Sequence, residues 1–324
     1  MIYFITEAVS GEKYFGMYQQ AVRTQLMVEG VNFKEISLSQ SEEHVRALID
    51  IIPDEKDNIW LLSYAQNPLS QYIRDKATGK LFGHVHGIYA SLFEPARLQG
   101  YYLDEQTTLS LYDGLFVNSQ WARQLIINKY PELKHTVIVS GFPFDGTTLS
   151  AYKTTDKREN MVVFNQRFSL DKLHILQVHL ADILVGLGYH PVQLMGEREF
   201  DRCMQQRHRR VLIREARKRG MHFIVNSSKE EYYKRLARAT AMITTPLAET
   251  LSVSTLEAAA LNVTPIVPDF GPFTEYVSSS NRYSPYNIQN ILEILFAAPC
   301  AEVQFERFHP DTVVNIYLEE MGLL

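Results

Sequence analysis

The chain has 324 residues, 46% of them hydrophobic and 11% aromatic, enough to bury one large core or two ordinary ones, with two expected at this length. A formal net charge of -5 argues against a general polyanion binder, and no apolar run reaches the ~18 residues that a membrane span needs. The two cysteines, Cys203 and Cys300, have no metal-ligand spacing and form no disulfide framework. With a start, "MIYFITEAVSGEKYF", unlike a signal peptide, the expected compartment is the cytoplasm.

In chain order, short β-branched or aromatic runs alternate with segments of helical spacing. The predicted strands of the first half are "MIYFIT" (1–6), "VNFKEISL" (31–38), "NIWLLSY" (58–64), "DGLFVNS" (113–119) and "TVIVSGF" (136–142). After "GFPFDG" the run "TTLSAYKTTDKREN" is polar and aperiodic and reads as a linker. The rhythm resumes with "MVVFN" (161–165), "PVQLM" (191–195), "MHFIV" (221–225), "TAMITT" (240–245) and "TPIVP" (264–268). These βαβ units predict two doubly wound α/β domains, over 1–148 and 160–305. A last helix within 306–324, entered through Pro310 and Asp311, is expected to pack back on the first domain.

Two such domains facing each other form a central cleft at the carboxyl ends of their strands, where open α/β sheets bind ligands. The first strand is followed by no G-x-G-x-x-G, and no G-x-x-x-x-G-K-[ST] occurs, so a nicotinamide-dependent oxidoreductase or a P-loop enzyme loses its main support. Gly11 and Gly16 flank "EKYF" after the first strand, as an ordinary turn or as a permissive loop over a ligand.

The most informative stretch is "AETLSVSTLEAAALNVTPIVPDFG" (248–271). Strand "TAMITT" ends at Pro246 and a joint carrying Glu249 follows. A helix begins near Ser252, leaving first-turn amides such as those of Ser252 and Val253 free to meet an anion. Glu257 lies inside that helix, where its carboxylate can accept from two hydroxyls of a sugar whose phosphates sit at the helix start. The competing reading makes Glu249 a helix-dipole residue and Glu257 a solvated one. Upstream, "VVFNQRFSLDKLHIL" places Arg167 and Lys172 just after a strand of the same domain, where a guanidinium fork and an ammonium can clamp a diphosphate.

Together these residues resemble the R-x4-K and E-x7-E motifs of family 4 glycosyltransferases with the GT-B fold, two Rossmann-like domains facing a central cleft. The resemblance is close over 161–285 and looser in the first half, through "DGLFVNSQWARQLI" and "VIVSGFPFD". It implies a retaining, metal-independent transferase, hexosyl or pentosyl, that uses a nucleotide-diphosphate sugar as co-substrate and needs no cofactor. By resemblance Arg167 and Lys172 bind the donor diphosphate, Glu257 its ribose, and Glu249 faces the sugar. The leaving phosphate helps to deprotonate the acceptor hydroxyl. Thr250 and Ser252 replace the family's two glycines, and "NVT" (262–264) replaces another, which alters the sugar pocket.

In "LFGHVHGIYASLFEP" (81–95), His84 and His86 end a strand-like run, and they are expected on opposite faces of it, with at most one facing the cleft. The pair lacks the partners of a metal site, and the resemblance implies that one of them, His86 by preference, touches the donor sugar or the acceptor. Residues 197–220 hold nine Lys/Arg against four acidic groups. Arg207, Arg209 and Arg210 on this helical stripe could line a path for phosphate backbone, or lie on a solvated face. The acceptor is accordingly a hydroxylated nucleobase in DNA of the phage type, a glycan or a small molecule. A non-catalytic nucleotide-sugar-binding subunit is the alternative, motivated by the lost glycines.

Overall fold

Two parallel sheets, each of six strands, organise the chain. The computed structural model describes residues 1–7, 14–38, 42–87, 105–156, 160–168, 170–298 and 302–324. Gly11, Cys300 and the end of the His84/His86 stretch lie outside these. One unit comprises Met1–Phe144 with Glu306–Leu324, and the other Asp145–Phe305.

The first unit runs β1 (Ile2–Thr6), α1 (Tyr14–Val28), β2 (Phe33–Ser37), α2 (Glu42–Asp50), β3 (Ile59–Leu62), α3 (Leu69–Lys76), β4 (Lys80–Val85), α4 (Glu105–Leu109), β5 (Gly114–Val117), α5 (Gln120–Lys129) and β6 (Val137–Val139). The second runs β7 (Met161–Phe164), α6 (His174–Gly186), β8 (His190–Gly196), α7 (Glu197–Gln205), α8 (Arg207–Lys218), β9 (His222–Asn226), α9 (Lys229–Leu236), β10 (Ala241–Ile243), α10 (Val253–Ala260), β11 (Thr264–Pro268), α11 (Phe273–Tyr276), β12 (Arg282–Tyr283) and α12 (Ile288–Ala297). Helix α13 (Pro310–Met321) then returns to the first unit.

The first sheet has the order β2-β1-β3-β4-β5-β6. Strands β1, β3 and β5 are buried at every position, as their unbroken apolar sequences require of interior parallel strands. Helix α13 packs on α1 and buries Val313, Val314, Tyr317, Leu318 and Met321, with the Tyr317 ring stacked 4.0 Å from that of Phe116. The second sheet has the order β12-β11-β10-β7-β8-β9, that of a Rossmann-like doubly wound domain.

Three local features depart from the sequence reading. Strand β4 ends at Val85, so His86 lies just beyond the strand-like run that the two histidines were expected to end, and Gly83 and His84 dilute its apolar pattern. Gly83 is nonetheless required there, because a Cβ would lie 2.5 Å from the Tyr112 ring and 2.9 Å from the Ala65 methyl. The two-residue β12 is too short to show a period. The polar run read as a linker opens in a 3-10 helix, Gly146–Tyr152, where the Asp145 carboxylate accepts the Thr147 N–H at 2.8 Å. Buried Leu149 anchors this turn, which packs on α9 and α10, so residues 145–152 belong to the second unit. Among the described residues no helix is long and apolar enough to cross a membrane.

Candidate functional site

In the second sheet the chain steps from β7 to β8 to β9, then crosses to β10 on the other side of β7. The topological switch point, where such sheets bind ligands, therefore lies between β7 and β10. The segments leaving these two strands carry Arg167 and Lys172 on one side and Glu249 and Ser252 on the other. Hydrogen bonds brace them together. Gln166 Oε1 accepts the Thr245 N–H at 2.9 Å, Thr245 Oγ1 donates to the Lys172 carbonyl at 2.8 Å, and the Leu247 N–H donates to the Asp171 carbonyl at 2.8 Å.

On this brace sits a cluster of four charges. Lys172 Nζ donates to Glu249 Oε2 at 2.8 Å and to the Ala248 carbonyl at 3.3 Å, and lies 3.5 Å from Asp171 Oδ2. Arg167 Nη2 reaches Asp171 Oδ2 at 3.2 Å. Lys172 is buried, whereas the Arg167 side chain is 43% exposed, so Arg167 is the cation turned toward solvent. At the start of α10, Ser252 is the N-cap residue, but its hydroxyl engages Thr255 Oγ1 at 2.9 Å and Ser254 Oγ at 3.1 Å rather than capping the helix. Among the described residues the N–H groups of Val253 and Ser254 meet no acceptor and remain for a ligand.

Glu257 is neither solvated nor freely presented. It is 2% exposed, and its carboxylate accepts Lys229 Nζ at 2.6 Å and the Tyr233 hydroxyl at 3.1 Å on Oε1, and the Tyr232 hydroxyl at 2.7 Å on Oε2. The Tyr232 hydroxyl in turn accepts from Asn165 Nδ2, on the residue directly after β7. Burial, reinforced by the Glu257 charge, raises both phenols well above their usual range, so they remain protonated donors. Lys229, Tyr232 and Tyr233 were missed in the sequence, although their i, i+3, i+4 spacing in "KEEYYKRL" puts them on one face of a helix. What the sequence does not show is that this face meets Glu257. Asp171, between the two expected cations, was missed as well.

The basic stretch is two helices broken at Gln206 rather than one stripe. Because α8 returns the chain from the carboxyl end of β8, its first turn lies at the ligand-binding edge of the sheet. Arg207 and Arg210 there are exposed, while Arg209 is half-buried with Nη1 4.0 Å from Cys203 Sγ. Glu199, also unforeseen, accepts the Phe168 N–H at 3.0 Å. Burial raises its carboxyl, and the charges of Arg167, Arg209 and Arg202 counter the rise. Arg209 thus belongs to the surroundings of the loop after β7, and Arg207 and Arg210 face solvent.

In the first sheet the switch point falls between β1 and β3. Gly16 does not form a loop there, because α1 already begins at Tyr14 and includes it in its first turn. His84 is fully buried, with Nδ1 2.6 Å from the Tyr317 hydroxyl and Nε2 2.8 Å from Asn118 Oδ1. His86 is half-buried, with Nε2 2.6 Å from the carbonyl of Ser63, the residue after β3. The two rings do not lie on opposite faces. Their centroids are 4.4 Å apart and both contact Tyr18, at 4.7 Å from His84 and 4.9 Å from His86. The reason is that residues two apart on a strand share a face, so the regular pleat of β4, continued past Val85, brings the two rings together. Burial lowers His84 to about 4 and holds His86 well below its usual value, so both rings are neutral near pH 7.

No family model matches the chain, and no curated protein matches it. Solved structures do. A glycosyltransferase from Rickettsia africae ESF-5 superposes with a TM-score of 0.72 at 13% identity, covering 99% of this chain and 97% of that one. Anabaena HepE in complex with UDP and glucose gives 0.67 at 14%, covering 100% and 99%. A UDP-forming α,α-trehalose-phosphate synthase from Burkholderia vietnamiensis gives 0.72 at 11%, covering 100% and 99%. These similarities are of fold, and the fold is GT-B, the two-domain Rossmann-like architecture of a large class of glycosyltransferases.

Proposed function

We propose that the protein is a nucleotide-sugar-dependent glycosyltransferase that moves a sugar from a nucleotide-diphosphate donor to an acceptor hydroxyl, with retention and without a metal ion. The observation that carries this reading is the meeting of Arg167, Lys172, Glu249 and the open start of α10 at the switch point of the second sheet. In this reading the second unit, Asp145–Phe305, is the donor domain and the first the acceptor domain, so the boundary expected at 148 moves back to 144. UDP bound to HepE and the UDP-forming synthase supply a precedent for the donor.

The two cations and two carboxylates of the cluster cancel in formal charge, so a diphosphate gains little from net attraction. It gains instead from hydrogen bonds, donated by the exposed Arg167 fork and by the Val253 and Ser254 amides. Arg202 and Arg209, close enough to act on Glu199, tilt the local field toward anions. The same donors stabilise the leaving diphosphate as the glycosidic bond breaks, and one of its oxygens takes the proton of the acceptor hydroxyl. Glu249, held by Lys172, stands beside the sugar. His86, neutral, touches the sugar or the acceptor in this reading.

A nucleic-acid acceptor, such as a hydroxylated nucleobase, is favoured over other acceptors by one observation. Arg207 and Arg210 are exposed at the ligand-binding edge of their sheet. Calorimetric titration with nucleoside diphosphates and their sugars, followed by assay of released sugar, tests the main reading. Binding of one nucleoside diphosphate with slow release of free sugar is the expected result. Binding with no release under any acceptor would identify a non-catalytic subunit, and the absence of any nucleotide binding would overturn the proposal.

A further inference from the structure

We propose that Gln177 is a positioning residue of the donor site, one that fixes the Lys172–Leu173 peptide and, through it, the ammonium of Lys172. This rests on the donor-site reading above and deepens it. Leu173 stands in the left-handed region, with φ 47° and ψ 47°, directly before α6. A residue other than glycine stays there only where its surroundings hold it. Gln177, in the first turn of α6, holds this peptide at two points. Its backbone N–H donates to the Leu173 carbonyl at 3.2 Å, and its side-chain Nε2 donates to the Lys172 carbonyl at 3.2 Å and to Thr245 Oγ1 at 3.1 Å.

The Lys172 carbonyl also accepts Thr245 Oγ1 at 2.8 Å, so Gln177 and Thr245 close a triangle on it that ties α6 to the segments after β7 and β10. Gln177 Nε2 lies 3.5 Å from Gln166 Oε1 as well, and Gln193 Nε2, from β8, donates to the Gln166 carbonyl at 2.7 Å. Gln177 and Gln193 are fully buried. Stability does not account for an amide here. Among the described residues Gln177 Oε1, Gln193 Oε1 and Gln166 Nε2 meet no partner, and a buried unpaired carbonyl costs free energy that a leucine at 177 would avoid. What the amide provides is direction. The Lys172 side chain is 10% exposed and held among Glu249 Oε2, Asp171 Oδ2 and the Ala248 carbonyl, so a tilt of its peptide displaces Nζ instead of being absorbed by free rotation.

The test is calorimetric titration of the full-length protein with UDP, ADP, GDP and dTDP, each beside its nucleoside monophosphate. Wild type should bind one diphosphate about tenfold more tightly than its monophosphate, the scale of one hydrogen bond to a charged group. Lys172→Ala should bring that ratio close to one, and Gln177→Leu should do the same although it leaves the lysine in place. The double variant should be no worse than either single one, because Gln177 acts through Lys172. If Gln177→Leu does not fold, Thr245→Val, which removes the other donor to the Lys172 carbonyl, should give the same selective loss. An unchanged ratio in the folded Gln177 variant overturns the inference. So do losses from Gln177→Leu and Lys172→Ala that multiply in the double variant, since a general structural role would produce them. If no nucleotide binds, or Lys172→Ala leaves the ratio untouched, the donor-site reading itself falls and this inference with it.

Discussion

Glu249 and Glu257 are eight positions apart, yet their surroundings differ in kind. Glu249 has one close cationic partner, Lys172, and a partly open side chain, whereas Glu257 is buried under three donors. Glu249→Ala should therefore leave the fold intact and chiefly lower kcat in steady-state kinetics, because charge changes beside it during transfer. Glu257→Ala should raise the donor KM and also cost about 3 kcal/mol of stability in urea unfolding, since it strands the Lys229 ammonium and two buried phenols. Full kcat in the Glu249 variant would remove its catalytic role. His84 gives a pH signature of its own. Its ring protonates at about 4 in the fold against 6.5 in an unfolded chain, so below pH 6.5 the unfolded state binds more protons. Stability should fall as the pH drops from 6.5 to about 4, by roughly 3 kcal/mol from this group, and His84→Asn should flatten that slope in pH-dependent melts. The existence of both carboxylates and both histidines was legible from their spacing. Which of them were already engaged was not: the return of the last helix to the first domain is expected, but no local pattern encodes that its Tyr317 meets His84 or that Lys229 meets Glu257.

At the scale of elements, strands were legible where the sheet interior demanded unbroken apolar runs, as in "IYFIT" and "MVVF". They were fainter where a glycine was needed for close packing, as at Gly83 of β4, which reads only as a strand-like run. Helix α8 was legible as a basic helix but not as a structural member of the site. Its Arg217 guanidinium lies over the Phe200 and Phe223 rings at 5.9 and 5.6 Å, so part of the charge covers the core. Arg207 and Arg210 are the positions left for a phosphate backbone. Reversal of Arg207 and Arg210 to Glu should abolish salt-sensitive binding to DNA in a titration over ionic strength, with release of free sugar from the donor retained. If wild type binds no DNA at low salt, the nucleic-acid acceptor is excluded.

At the scale of the whole chain, the two units differ in continuity. Residues 145–305 form an uninterrupted Rossmann-like unit with its own core, whereas residues 1–144 need α13 to cover α1 and to reach the His84 ring through Tyr317. A fragment of 145–305 should unfold cooperatively in urea and bind the nucleoside diphosphate that the intact protein binds, while 1–144 alone should show no cooperative transition. A cooperative transition in the 1–144 fragment would show α13 to be dispensable. The return of α13 also sets an order of events on the ribosome. Residues made first cannot finish their core until the last helix has left the exit tunnel, so the later-made half is complete before the earlier one, the reverse of the usual sequence in multidomain chains. The exposed surface of α1 must meanwhile wait through the synthesis of the entire second unit, which makes the nascent first half the stage at which this protein is most open to chaperones and to premature association.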